Sequence, residues 1–127
     1  MTISLPTIIS EYLSAFERND LEAVLACFGD GAVVFDEGEE MRGHDGIREW
    51  LEKVTTAYQW TVTVRGATEL GMVDGLERHD VYTHLKGNFP GGEVDLTDRF
   101  GLRDGRISRL EIVPTQVEDR EFYQRSQ

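Results

Sequence analysis

The chain has 127 residues, of which 39% are hydrophobic and 29% charged, a balance typical of one soluble globular domain with its own core. Its formal net charge of -11 disfavours binding to nucleic acid, to anionic membrane surfaces and to strongly anionic substrates. Cys27 is the single cysteine, which excludes an internal disulfide and a cysteine-based metal site. No apolar segment is long enough to span a bilayer, and we expect a cytoplasmic protein.

The N-terminal half predicts three helices. Apolar residues recur at helical spacing in the segments 5–16, 21–28 and 47–58. Pro6 is compatible with the first turn of the first helix, and Asp20 is a suitable N-cap for the second. The third helix is predicted to begin near residue 43 and to end near residue 58.

Strands are predicted between the second and third helices and throughout the C-terminal half. The apolar run 32–36 predicts a buried strand, and the acidic segment 37–40 after it predicts a solvated loop. From residue 60 onward the hydrophobic period is two, which is typical of strands. Asp74–Gly75 and Asp104–Gly105 are hairpin signals, so four further strands are expected.

This order of elements predicts an α+β domain. A curved antiparallel sheet with the three helices on its concave side would enclose a cone-shaped cavity, which is the expected ligand site. Residues 1–127 are expected to form a single domain, because no linker, repeat or low-complexity segment interrupts the sequence. The polar segment 115–127 is either a tail or a short docked helix.

The strand from Val94 to Leu102 carries the most informative pattern in the chain. One face of it is apolar except for Asp98, which lies between Leu96 and Phe100 in the alternation. A buried carboxylate costs several kcal/mol unless it is paired, hydrogen-bonded or protonated. Asp98 is therefore either a satisfied structural acid or a functional acid with a perturbed pKa.

Four stretches of the sequence resemble the nuclear transport factor 2-like superfamily. They are residues 12–28, 32–36, 42–50 and 97–107, and the resemblance extends over roughly residues 5–113. The superfamily includes SnoaL-like polyketide cyclases, ketosteroid isomerases, hydrolases, dehydratases and binding proteins. Membership would imply the cone-shaped α+β fold but no particular reaction, because one fold hosts many functions.

Within this superfamily the sequence is most similar to ketosteroid isomerase. That resemblance implies that Tyr12 and a neutral Asp98 donate hydrogen bonds to a dienolate oxygen, and that Asp36 moves a proton between two carbons. Each residue also has an ordinary structural interpretation. Tyr12 could be a core tyrosine, and Asp36 could be a turn residue at the end of a strand.

The predicted ligand contacts are mostly aromatic or apolar. His79 and His84 have opposite parity on their strand, so at most one of them faces the cavity, and His79 is the candidate for a second acid or base. No motif indicates a cofactor or a metal ion, and the expected ligand is a small apolar molecule. The predicted contacts are Phe16, Trp50, Tyr58, His79, Leu96 and Phe100.

Three functions are compatible with the sequence. The first is an enzyme without a cofactor that isomerises, cyclises or dehydrates a small apolar carbonyl compound by proton transfer. The second is a non-catalytic ligand-binding domain, and the third is a SnoaL-like hydrolase or cyclase that uses His79 in place of Asp36. The mixed polar face formed by Thr97, Arg99 and Glu111 predicts a homodimer through the sheet.

Overall fold

The computed structural model describes residues 3–115 of the chain. The predicted tail or docked helix therefore lies outside the described residues, apart from Thr115. The helices are α1 (Thr7–Glu17), α2 (Leu21–Ala26) and α3 (Gly43–Ala57). The strands are β1 (Phe28–Asp36), β2 (Glu39–Arg42), β3 (Trp60–Val73), β4 (Leu76–Gly87), β5 (Glu93–Arg103) and β6 (Arg106–Pro114).

The six strands form one curved, unclosed sheet in the order β2-β1-β6-β5-β4-β3. Together with the three helices this is the α+β cone that the sequence predicts. The four C-terminal strands are joined by consecutive antiparallel pairings, and β3 pairs with β4 along its whole length. Bulges near Gly66 and Gly71 interrupt the register of β3 and contribute to the bending of the sheet.

Two features of the sheet differ from the prediction. The pairing of β1 with β6 is parallel, so the sheet is not antiparallel throughout. The segment predicted as an acidic loop is a hairpin, in which Glu39 and Glu40 belong to β2 and pair back onto β1. Its turn is formed by Glu37 and Gly38, which both have positive φ, the backbone geometry of a tight two-residue hairpin turn.

The core lies between the helices and the concave face of the sheet. The apolar stripes predicted for the helices are buried there, and the carboxylate of Asp20 caps α2 by accepting a hydrogen bond from the Ala23 amide at 3.2 Å. In the part of the chain that the structure covers, no helix has the length and apolarity needed to cross a membrane. Fully buried core residues include Ile9, Phe28, Val34, Ile47, Leu51, Phe100 and Leu110.

Candidate active site

A cavity of about 670 Å³ opens between α1, α3 and the concave face of the sheet. Its volume lies within the range of roughly 300–1,000 Å³ that is usual for small-molecule sites. Among residues 3–115, four carboxyl side chains line it, those of Asp36, Glu37, Glu93 and Asp98. The rest of the lining is mostly apolar, and its aromatic members are Tyr12, Phe16, Trp50, Tyr58, Trp60 and Phe89.

Asp36 and Asp98 occupy one row across three neighbouring strands. Asp36 on β1 is paired with Ile112 on β6, and Ile112 is paired with Asp98 on β5. Paired residues of adjacent strands project from the same face of a sheet, so both carboxyl groups lie on the cavity side of Ile112. Their backbones are separated by two strand spacings, a distance of about 10 Å.

Asp98 is a buried acid that has no structural partner among residues 3–115. Its side chain is only 6% exposed, and within residues 3–115 no group hydrogen-bonds to its carboxyl oxygens. Burial, followed by the nearby charge of Asp36, raises the pKa of Asp98 to about 7. Asp98 is therefore largely protonated below neutral pH, and as a neutral acid it can donate a hydrogen bond into the cavity.

Tyr12 presents a second buried hydroxyl to the same space. Its ring is 1% exposed and packs edge-on against Phe28 and Phe100. No hydrogen bond connects the Tyr12 hydroxyl to another residue within the described range. Burial, and then the charges of Asp98 and Asp36, raise the pKa of Tyr12 well above its ordinary value, so it remains a donor.

Asp36 is held in place by a residue that the sequence predicts only as a ligand contact. The indole Nε1 of Trp50 donates a hydrogen bond to Asp36 Oδ2 at 3.0 Å. Partial burial raises the pKa of Asp36, and the charges of Glu37 and Glu39 act in the same direction, while the Trp50 hydrogen bond lowers it. Asp36 is thus a carboxylate of increased basicity at one side of the cavity.

The aromatic lining is a stack of rings. The Phe16 ring lies nearly parallel to the rings of Trp50 and Trp60, with centroid distances of 6.2 and 4.7 Å. The Trp60 indole N–H donates to the Phe16 carbonyl at 3.1 Å, which fixes β3 against α1. Because the stack is tied to a helix and to a strand, this side of the cavity is preformed.

Two further aromatic rings stand at the mouth of the cavity. Tyr58, which follows α3, contacts Phe89 of the β4–β5 loop with their ring centroids 6.2 Å apart. Asn88 connects the same two segments, because its side-chain oxygen accepts a hydrogen bond from the Gln59 amide at 2.8 Å. Gly87 permits this close approach, since a Cβ atom there would lie 2.1 Å from the Gln59 carbonyl oxygen.

The structure brings together most of the residues predicted for the site. Tyr12, Asp36 and Asp98 all line the cavity, and so do the predicted contacts Phe16, Trp50, Tyr58 and Leu96. The lining also contains Trp60, Phe89 and Glu93, which were not predicted. Trp60 could have been found from its shared parity with Val62, which also lines the cavity, whereas Phe89 lies in a loop that has no periodic signal.

Phe100 and His79 lie outside the cavity lining. They are paired with each other in the sheet, and both are buried in the region beyond Asp98. Nε2 of His79 is 2.6 Å from Glu77 Oε2, so the ring already has a partner. His84 has the opposite parity and contacts Asp95 and Glu93.

Among residues 3–115, no three His, Cys, Asp or Glu side chains are grouped closely enough to hold a metal ion.

Comparison with known proteins defines the family. The model of the SnoaL-like domain matches residues 9–110, which is most of the chain. The chain therefore belongs to the SnoaL-like domain family, within the nuclear transport factor 2-like superfamily. No curated protein has a significantly similar sequence.

Solved structures share the whole fold. A predicted polyketide cyclase from Sinorhizobium meliloti is 35% identical, with a TM-score of 0.78 over 86% of this chain and 95% of that one. A Catenulispora acidiphila protein with a ketosteroid isomerase-like fold, in complex with trimethylamine, is 17% identical, with a TM-score of 0.76 over 88% of both chains. TerC, co-crystallised with polyporic acid, is 22% identical, with a TM-score of 0.71 over 92% and 95% of the two chains.

Proposed function

We propose that this chain is an enzyme that uses its own side chains to transfer a proton within a small apolar carbonyl compound. The reaction class is isomerisation, cyclisation or dehydration by way of an enol or enolate. The single observation that carries this proposal is the row of Asp36 and Asp98 on either side of Ile112, because their environments suit them to opposite roles.

In the proposed reaction the carbonyl oxygen lies against Tyr12 and Asp98. Both groups are buried, and neither is hydrogen-bonded to another residue of the described range, so each is free to donate to the ligand. Negative charge develops on that oxygen when the neighbouring carbon loses a proton. Two prepositioned donors in a low-dielectric cavity stabilise the charge more in the transition state than in the ground state.

Asp36 is the proposed base. It removes a proton from the carbon next to the carbonyl group. In an isomerisation it returns that proton to another carbon of the same molecule, and in a dehydration the proton leaves with the departing hydroxyl group as water. The Trp50 hydrogen bond occupies Oδ2, so Oδ1 is the oxygen proposed to take the proton. The mostly apolar lining favours substrates in which the carbonyl group is attached to a hydrocarbon skeleton.

The alternative is a non-catalytic binding domain with the same cavity. Both TerC and the Catenulispora protein hold small molecules, which supports ligand binding in this fold but does not distinguish the two functions. His79 provides less support for a hydrolase or cyclase role, since its ring is outside the lining and is bound to Glu77.

The test is an isomerisation assay with a β,γ-unsaturated ketosteroid and then with smaller β,γ-enones. We expect turnover by the wild-type protein and a decrease of about two orders of magnitude or more in Asp36→Asn, the usual range for a general base. Glu49→Gln is the matched control, because it removes an exposed carboxylate that is not in the lining. If no such ketone is converted, or if the Asn variant is as active as wild type, the binding-domain function replaces the enzymatic one.

A further inference from the structure

The charges around the cavity are unbalanced. Its lining contains four carboxyl groups but no lysine, arginine or histidine from the described residues. Once Asp98 is ionised, it and Asp36 repel each other across a mostly apolar space, and this repulsion contributes, after burial, to the raised pKa of Asp98. A positively charged ligand would relieve this repulsion, whereas an anionic one would add to it.

The row formed by Asp36, Ile112 and Asp98 indicates where a positively charged group would bind. Ile112 separates the two carboxyl groups, so a cation located over Ile112 lies between them. Trp50 occupies only Oδ2 of Asp36, and Asp98 is a residue only 6% exposed whose carboxyl group has no hydrogen bond to any residue within 3–115. Carboxylate oxygens are thus available on both sides of this position to accept charge-assisted hydrogen bonds.

The aromatic stack indicates what kind of group the rest of the ligand would carry. The rings of Phe16, Trp50 and Trp60 line the same cavity and provide surface for a hydrocarbon or aromatic group. Aromatic rings also attract cations, because the face of the ring carries partial negative charge. Carboxylates beside aromatic surface are the combination that recognises an ammonium group attached to an apolar body.

We propose that this cavity binds protonated amines that carry an apolar or aromatic group, with the ammonium held between Asp36 and Asp98. The inference rests on the cavity and its charges, and it does not depend on the proton-transfer reaction proposed above. An amine of this class is either a ligand in its own right or the cationic part of the substrate.

The affinity for an amine has a characteristic dependence on pH. Asp98 faces Asp36 from β1 and Tyr12 from α1, with Glu37 and Glu93 at the mouth, and its strand neighbours Val81 and Ile112 are uncharged. As the pH rises through about 7, Asp98 loses its proton and becomes a second counter-ion. The affinity for an ammonium ion therefore rises over this range, while the affinity for a neutral ligand that accepts a hydrogen bond from Asp98 falls.

The experiment compares three probes of matched shape by calorimetry at pH 6 and pH 8. They are 1-naphthylmethylamine, which is cationic, 1-naphthylmethanol, which is neutral, and 1-naphthoate, which is anionic. We expect the amine to bind about tenfold or more tightly than the alcohol at pH 8, and the anion to bind most weakly, since one hydrogen bond to a charged group contributes about 1.5–3 kcal/mol. Equal affinity for the amine and the alcohol, or failure of the amine to bind, would overturn the proposal.

Variants locate the bound charge. At pH 8, where Asp98 is largely ionised, Asp36→Asn and Asp98→Asn should each lower the affinity for the amine about tenfold and leave the affinity for the alcohol within about twofold. Glu111→Gln is the control, because Glu111 precedes Ile112 on β6 but projects from the opposite face, where it pairs with Arg99. If Glu111→Gln weakens amine binding as much as the two aspartate variants do, only the net charge is involved and the proposed position is wrong. Amine binding without ketone turnover would retain this inference and reject the proposed reaction.

Discussion

Trp50 on α3 and Asp36 at the end of β1 are joined by a hydrogen bond of 3.0 Å between Nε1 and Oδ2. The bond crosses from the helical layer to the sheet, and it fixes the rotamer of a carboxylate that would otherwise be free at a strand terminus. It also opposes the effect of burial on the pKa of Asp36. Trp50 is therefore a positioning residue for the proposed base as well as part of the aromatic stack.

Trp50→Phe is expected to raise the pKa of Asp36, because the substitution removes a hydrogen bond that favours the ionised form. The acidic limb of the pH profile of kcat/KM, or the carboxyl titration followed by NMR, should shift to higher pH. Trp60→Phe is the matched control, since it removes an indole from the same stack without touching Asp36. An identical shift in both variants would contradict a specific effect of the Trp50–Asp36 bond.

The hydrogen-bonding role of Asp98 is tested with a phenol that mimics the enol, such as 2-naphthol. Asp98→Asn should retain much of the affinity, because an amide still donates a hydrogen bond, whereas Asp98→Leu should weaken binding about tenfold. Calorimetry at pH 6 gives the affinities, and naphthalene, which lacks the hydroxyl, should bind all three proteins alike. Equal affinity of wild type and Asp98→Leu for the naphthol would make Asp98 a structural residue.

Asp98 should also make stability depend on pH. Its pKa is about 7 in the folded protein against 3.8 as the reference value, so between these values the folded state binds more protons than the unfolded one. The contribution of Asp98 to the free energy of unfolding is complete below pH 4. It is lost as the pH rises through 7, at up to about 1.4 kcal/mol per pH unit.

Urea denaturation of wild type and Asp98→Asn, measured from pH 4 to pH 8, isolates this contribution from that of the other acids. The free energy of unfolding of Asp98→Asn should decrease less than that of wild type between pH 4 and pH 8. At pH 8 the variant should therefore be more stable than the wild-type protein. A difference in the free energy of unfolding that stays constant with pH would show that Asp98 titrates normally.

We predict that the chain forms a homodimer through the outer face of its sheet. Arg99 and Glu111 form an ion pair there at 3.6 Å, and both are partly exposed. Thr97 takes no part in this surface, because it is buried and its hydroxyl lies 3.2 Å from that of Thr115. Arg99→Glu should shift the sedimentation coefficient at micromolar concentration from that of a dimer towards that of a monomer. Glu49→Arg, at an exposed position of α3, should leave the sedimentation coefficient unchanged. A monomeric wild-type protein would refute the prediction.

Alternation along β5 was sufficient to predict that Asp98 points inward. Alternate residues of a strand lie on the same face, so Asp98 must share the face of its apolar neighbours Leu96 and Phe100. The same alternation applies to β1, where Asp36 shares the parity of the buried Ala32 and Val34 and is therefore expected to point towards the cavity. Both predictions agree with the cavity lining. Helical periodicity was similarly informative for α1 and α3, whose apolar faces are wide and continuous.

Contacts between distant segments could not be predicted in this way. The position of β2 depends on the turn at Glu37 and Gly38, since Glu39 and Glu40 have low strand propensity and are exposed. The Trp50–Asp36 bond depends on the angle at which α3 crosses the sheet. The parallel register of β1 and β6 joins segments that are about 75 residues apart, and no local pattern encodes it.

The central position of β6 has a consequence for how the protein is made. This strand is the last of the six to be synthesised, yet it lies between β1 and β5 and supplies the Ile112 that separates the two aspartates. A nascent chain that still holds residues 106–114 inside the ribosome can form its helices, the β1–β2 hairpin and the β3–β4–β5 meander, but nothing yet joins the hairpin to the meander. We therefore expect the row of Asp36, Ile112 and Asp98 to be assembled only after the C-terminal strand emerges.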